Sequence, residues 1–185
     1  MRIGDTVAVF AQGPIGLCAT AGARLMGAAE IIAIESVPGR VEISRRMGAD
    51  HVIDFTCEDP VSAIQRITKG RGVDVAIEAL GRQQTFEWAL RSLRPGGTLS
   101  SLGLYSEDLR IPLDAIAAGL GDHRIVTTLC PGGKERMRRL MAAVSGGRID
   151  TQALVTHRFA LDDIVAAYDL FSHQRDGVLK IAICP

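Results

Sequence analysis

Apolar residues in this chain come in short runs of two kinds. Thr6-Val7-Ala8-Val9-Phe10 is a continuous run of strand length, and Ile31-Ile32-Ala33-Ile34-Glu35 is a second one that ends on an acid. Between them Ala11-Gln12-Gly13-Pro14-Ile15-Gly16 forms a glycine turn, and Ile15 to Met26 reads as a helix. Runs this short and this uniformly apolar predict strands buried on both faces, as in a parallel sheet covered by helices.

The alternation continues. Val41 to Met47 is a second helix, and His51-Val52-Ile53-Asp54 a short third strand. Pro60 suits a first helical turn and precedes Val61, Ile64 and Ile67 at helical spacing. Gly70-Arg71-Gly72 ends that helix and Val73 to Glu78 makes a fourth strand. Thr85 to Leu93 carries the apolar stripe Phe86, Ala89, Leu90, Leu93 and is stopped by Pro95-Gly96-Gly97. Thr98 to Leu102 and Arg124 to Leu129 are the fifth and sixth strands. Parallel neighbours need crossover connections, so six strands separated by helices predict an α/β fold with a parallel sheet covered on both faces; we read it as a Rossmann-type doubly wound six-stranded parallel sheet, order 3-2-1-4-5-6.

Beyond Leu129 the pattern changes. Lys134 to Val144 is a basic amphipathic helix, expected to pack Met137, Leu140, Met141 and Val144 on the sheet. Val155 to Phe159 and Val178 to Ile183 read as strands flanking a helix from Leu161 to Phe171. We divide the chain into a dinucleotide-binding domain, 1–133, and a small C-terminal α/β tail, 134–185.

Composition narrows the function classes. Lys and Arg total 21, Asp and Glu total 21, and the formal net charge is zero, which argues against a nucleic-acid or anionic-membrane partner. No apolar run approaches the ~18 residues of a membrane span and no leader pattern opens the chain, so a cytoplasmic location is expected. Cys18, Cys57, Cys130 and Cys184 lie far apart, which predicts reduced, mostly buried thiols rather than a metal site or disulfide framework.

The chemistry lies in the first 35 residues. Strand, glycine turn, helix and strand ending in an acid form the dinucleotide-binding fingerprint. Gly13 lets backbone approach a pyrophosphate, Gly16 lets helix lie close to strand, and the helix N-terminus offers N–H groups and partial positive charge to the anion. Pro14 suits the helix start, and the small residues Cys18, Ala19, Gly22 and Ala23 are expected to allow close packing on the sheet. Glu35 stands where the fingerprint places an acceptor for the ribose hydroxyls. Its charge disfavours a 2′-phosphate and therefore favours NAD over NADP; Arg40 is the counter-reading, a base able to neutralise that phosphate. The fingerprint's first glycine is Ala11 here. Alanine at positive φ costs on the order of 1 kcal/mol, so a slightly altered turn is expected.

Val7-Ala8-Val9-Phe10 with Gly13-Pro14-Ile15-Gly16-Leu17, Met47-Gly48-Ala49-Asp50, Gly72-Val73-Asp74, Arg94-Pro95-Gly96-Gly97 and Val178-Leu179-Lys180 together resemble the medium-chain zinc-dependent alcohol dehydrogenases. Pro131-Gly132-Gly133 and Val155-Thr156-His157 echo the bacterial secondary-alcohol branch. The resemblance implies that Gly13, Pro14, Ile15 and Gly16 face the pyrophosphate, Glu35 and Arg40 the adenosine ribose, and Gly81 the adenosine side of the groove. It implies that Leu102, Gly103, Leu104 and Leu129 lie along the nicotinamide, and that Lys180 reaches the pyrophosphate. Plainer readings stand beside these: Gly81 and Gly103 as strand terminators, Lys180 as a surface lysine.

The family's catalytic zinc belongs to an N-terminal domain that this sequence does not contain, and His51, His123, His157 and His173 lie far apart. No catalytic and no metal residues are therefore assigned. The expectation is the NAD(H)-binding portion of an alcohol dehydrogenase, inactive by itself, with a small alcohol or ketone as substrate in the full-length context. Alternatives are a stand-alone NAD-binding or regulatory module or gene fragment, and a zinc-independent quinone or enoyl reductase. A short-chain dehydrogenase is excluded, because Tyr105 and Tyr168 are followed four positions on by Leu109 and Ser172 where that class has lysine. Residues 102–113 mix apolar and polar side chains near the sheet's far edge and are the candidate homodimer surface.

Overall fold

A computed structural model of the chain describes residues 1–128 and 130–185. Its first unit, Met1–Pro131, is built on one parallel sheet. The strands are β1 (Thr6–Phe10), β2 (Glu30–Ile34), β3 (His51–Ile53), β4 (Val73–Glu78), β5 (Leu93–Ser101) and β6 (Arg124–Thr127). They run in the order β3-β2-β1-β4-β5-β6, the order expected of the dinucleotide-binding fold. The crossovers are the helices α1 (Pro14–Leu25), α2 (Pro38–Arg46), α3 (Pro60–Ile67) and α4 (Gln83–Arg91).

Two apolar layers hold the sheet, one on each face. Side chains alternate along a strand, so Ala8 and Phe10 join Ile32, Ile34 and Leu99 on one face, against Ile64 of α3 and Phe86 and Leu90 of α4. Val7 and Val9 join Ile31, Ala33 and Val75 on the other, against Ala23 of α1. β1 is therefore buried on both sides, which is why its sequence shows no polar alternation.

Several boundaries differ from expectation, each for a physical reason. α4 ends at Arg91, where the Ser92 hydroxyl donates to the Trp88 carbonyl at 2.7 Å, and β5 already starts at Leu93. Val73 pairs with Leu93, and a register shift follows before Val75 meets Thr98, so Pro95-Gly96-Gly97 is absorbed as an irregularity of the strand. β6 ends at Thr127, and Leu129 lies outside the described residues. On α1 the buried face is Gly16, Leu17, Thr20, Ala21 and Ala23, while Cys18 points outward. The expectation of mostly buried thiols is overturned: all four cysteines are exposed and none is in a disulfide.

The second unit, Gly132–Pro185, contains α5 (Lys134–Ser145), β7 (Val155–Ala160), α6 (Ile164–Ser172) and β8 (Lys180–Cys184). β7 and β8 pair in parallel, so the tail repeats the α/β pattern once in a sheet of its own. The expected burial of α5 is not found. None of its residues is buried, and Met137, Leu140 and Met141 are exposed. Ile164, Ala167, Tyr168, Phe171, Ile181 and Ile183 line an open, mainly apolar groove.

Candidate functional site

Strands that run parallel deliver their C-terminal ends, and the turns that follow, to one edge of the sheet. At the centre of that edge is the turn after β1. Ala11 adopts a left-handed conformation, φ 71°, so the turn is not altered to suit alanine but keeps the shape in which glycine is at ease. The Ala11 N–H donates to the Ile34 carbonyl at 3.1 Å. The reason for Gly16 is steric: a Cβ on it would lie 1.9 Å from the Ala11 carbonyl oxygen. Around Gly13 there is open space.

Gln12 is fully buried beneath this turn. Its side-chain N–H donates to the Val9 carbonyl at 3.2 Å, and its side-chain oxygen accepts the Thr20 hydroxyl at 2.9 Å, tying the turn to α1. Gly13 is the N-cap of α1 and has no side chain to satisfy the first-turn N–H groups, and no acid stands in that turn. By contrast α3, which also opens on proline, is capped by the Asp59 carboxylate accepting the Ser62 N–H at 2.8 Å. The start of α1 thus keeps its partial positive charge for an outside anion.

Glu35 follows β2 and is 4% exposed. One carboxylate oxygen accepts the Ser36 and Val37 N–H groups at 2.9 and 3.0 Å, and the other accepts the Gln12 N–H at 3.0 Å. The Arg40 guanidinium stands 3.9 Å from that second oxygen. A carboxylate has about four acceptor directions, so Glu35 both stitches two turns together and keeps capacity for a hydroxyl donor. Its fixing by backbone N–H groups was not legible in the sequence.

A second acid sequence reasoning passed over is Glu78, the last residue of β4, fully buried. One oxygen accepts the Leu80 N–H at 2.9 Å, the Gly81 N–H at 2.8 Å and the Thr85 hydroxyl at 2.7 Å. The other accepts the Tyr105 hydroxyl at 2.8 Å. Gly81 has φ 87°, and a Cβ there would lie 2.2 Å from the Leu104 carbonyl oxygen; one on Gly103 would lie 2.2 Å from the Gly81 nitrogen. Neither glycine merely ends a strand. Gly81 packs closely against Gly103 and Leu104. The available signal was the position: like Glu35, Glu78 is an acid closing an apolar strand.

The structure thus brings Gly13, Pro14, Ile15, Gly16, Glu35 and Arg40 together at one half of the edge, and Gly81, Leu102, Gly103 and Leu104 at the other. Ile15, Leu80 and Leu104 stand exposed. Leu129 lies outside the described residues. Lys180 opens β8 in the second unit, exposed, with its carbonyl accepting the Thr156 hydroxyl at 3.2 Å.

Among the described residues no three His, Cys, Asp or Glu come together to hold a metal ion. His51 pairs with Glu30 at 3.0 Å and His157 with Asp176 at 3.1 Å, both exposed contacts. No helix of the described residues is long and apolar enough to cross a membrane.

Known proteins resemble this chain in sequence and fold. Residues 14–146 match the family model described as zinc-binding dehydrogenase. An alcohol dehydrogenase of Cupriavidus necator is 69% identical over 185 residues, covering 100% of this chain and 50% of its own length. The NADP-dependent isopropanol dehydrogenase of Thermoanaerobacter brockii is 37% identical over 183 residues, 97% of this chain and 52% of its own. Among solved structures, the alcohol dehydrogenase TADH from Thermus sp. ATN1 superposes with a TM-score of 0.88 at 30% identity, over 100% of this chain and 52% of that one. The chain spans about half the length of the curated relatives it matches. It belongs to the zinc-binding dehydrogenase family, and corresponds to the cofactor-binding domain of the medium-chain alcohol dehydrogenases.

Proposed function

We propose that this chain is the NAD(H)-binding portion of an alcohol dehydrogenase that interconverts a small alcohol and its ketone or aldehyde. The observation that carries the reading is Glu35, a charged group fixed at the end of β2 beside the uncapped start of α1. Gly13 to Gly16 would hold the pyrophosphate with backbone N–H groups, and Glu35 with Arg40 the adenosine ribose. Bound nicotinamide supplies the hydride chemistry, and the chain's part is to bind and orient it. The exposed Ile15, Leu80 and Leu104 offer apolar surface to planar rings. Lys180 and Leu129 remain candidates for the pyrophosphate and the nicotinamide. With no zinc ligand set among the described residues, the chain alone is expected to bind cofactor without turning over alcohol.

A second cofactor reading has an observation in its favour: Arg40 stands beside Glu35, and matched isopropanol dehydrogenases are NADP-dependent by name. A fixed carboxylate next to a 2′-phosphate is a like-charge contact that a single guanidinium does not remove, and this supports NAD. Titration calorimetry with NAD+ and NADP+ decides. Tighter NAD+ binding is expected; equal or reversed affinities overturn the assignment. For self-association we propose the β6 edge with residues 102–113, where Leu104, Leu109, Ile111 and Leu113 are exposed.

A further inference from the structure

Resting on the dinucleotide reading above, we infer that Tyr105 is a positioning residue that holds the loops after β4 and β5 in one arrangement for the distal, nicotinamide half of the cofactor. The sheet order fixes which half that is. Adenosine at Glu35 lies beyond β2 and pyrophosphate beyond β1, so in the order β2-β1-β4-β5 the remaining half falls across β4 and β5.

Tyr105 sits in the loop after β5, yet its hydroxyl donates to Glu78 of β4 at 2.8 Å and lies 2.7 Å from the Ser101 hydroxyl. A carboxylate can only accept, so the phenol proton belongs to the Glu78 bond and the Ser101 hydroxyl supplies the second. The ring is anchored edge-on against Phe86 of α4, with centroids 6.1 Å apart and planes at 84°. Glu78 uses its other oxygen for the N–H groups of Leu80 and Gly81, inside the neighbouring loop. One buried carboxylate therefore joins the two loops, and Tyr105 is the side chain through which the second is joined. Gly103 and Gly81 touch backbone to backbone beside it, so a small rotation of either loop would be felt by the other. Burial, aided by the charge of Glu78 and opposed by Ser101, raises the phenol's pKa, so the hydroxyl remains a donor through the whole working pH range.

The test compares ligands that end at different places. The 185-residue chain and its Tyr105→Phe variant are titrated calorimetrically with NAD+ and with ADP, which carries adenosine and pyrophosphate alone. The expected result is NAD+ binding about tenfold weaker in the variant and ADP binding changed less than twofold. Equal loss for both ligands, or no loss for either, overturns the positioning role. If Tyr105→Phe does not fold, Ser101→Ala, which removes only the phenol's second partner, must show the same confinement of the loss to NAD+. Failure of the unmodified chain to bind either ligand overturns the dinucleotide reading itself, and is distinct from loss in the variant only.

Discussion

The Cα of Gly16 faces the carbonyl oxygen of Ala11 so closely that a methyl group on it would lie 1.9 Å away. The obstacle is backbone, held by the Ala11 N–H to the Ile34 carbonyl, and cannot swing aside as a flexible side chain would. Gly16→Ala is therefore expected to destabilise the fold by about 1–3 kcal/mol, the range for overpacking, and to weaken NAD+ binding at least tenfold. A urea melt with parallel calorimetry checks both; unchanged values in both refute the steric account.

Ala11 carries the opposite prediction. At φ 71° it bears the Cβ strain of the left-handed region, about 1–2 kcal/mol, partly offset by the lower unfolded-state entropy of alanine relative to glycine. Ala11→Gly should raise stability by roughly 0.5–1 kcal/mol. The measure is the denaturant midpoint at constant slope, and a lowered midpoint would show that the strain is relieved by other means.

Glu35→Gln removes charge and keeps one oxygen for the N–H groups of Gln12, Ser36 and Val37. The ratio of NAD+ to NADP+ affinity is expected to fall about tenfold, since the like-charge contact with a 2′-phosphate disappears. Stability should fall by about 1–3 kcal/mol, because donors that two oxygens served are left competing for one. An unchanged ratio would remove Glu35 from the specificity of the site.

At the opposite edge of the sheet Asp74 is buried between Arg71 and Arg94, each within 2.6 Å, and accepts the Thr6 N–H at 2.9 Å. Burial alone would raise its pKa, but the hydrogen bonds from Arg71, the Thr6 N–H and Arg94 outweigh it and hold the carboxyl well below the usual range. A depressed native pKa means a contribution complete above the unfolded value of about 3.9 and lost as pH falls from there through the native value. Asp74→Asn should cost about 1–3 kcal/mol at pH 7, discounted for the partly exposed arginines. Melts at pH 7 and about pH 2.5 should show the difference from wild type shrinking in acid; a gap that does not change with pH contradicts the ion-pair account.

What the sequence made legible was what period and local spacing carry. β1, β4 and the start of α3 are where apolar runs and turn residues place them, and the strand order is that of the dinucleotide-binding fold. Strands buried on both faces leave no ambiguity of phase, which is why this half of the chain is readable. The end of α4 was not, since Leu93 fits the helical stripe and the strand equally and is buried in either. Nor was the exposure of α5, a helix where the period places it although none of its residues is buried. At the site, Gly13, Gly16 and Glu35 belong to a local spacing. The bonds of Gln12 to Thr20, of Gln12 to Glu35 and of Tyr105 to Glu78 join positions that periodicity cannot relate.

The central place of β1 also governs how the molecule is made. It is the first of the six strands in sequence, but its second neighbour is β4, and Val7 has to wait for Val75 before that side of it is paired. Until then Val7 to Phe10, apolar on both faces, sits at an open sheet edge, a segment prone to pair with other chains. Contacts so distant in sequence form slowly. The glycine turn thus precedes in sequence the strand that completes its support, and a chain halted before residue 73 would be expected to aggregate rather than to bind a nucleotide.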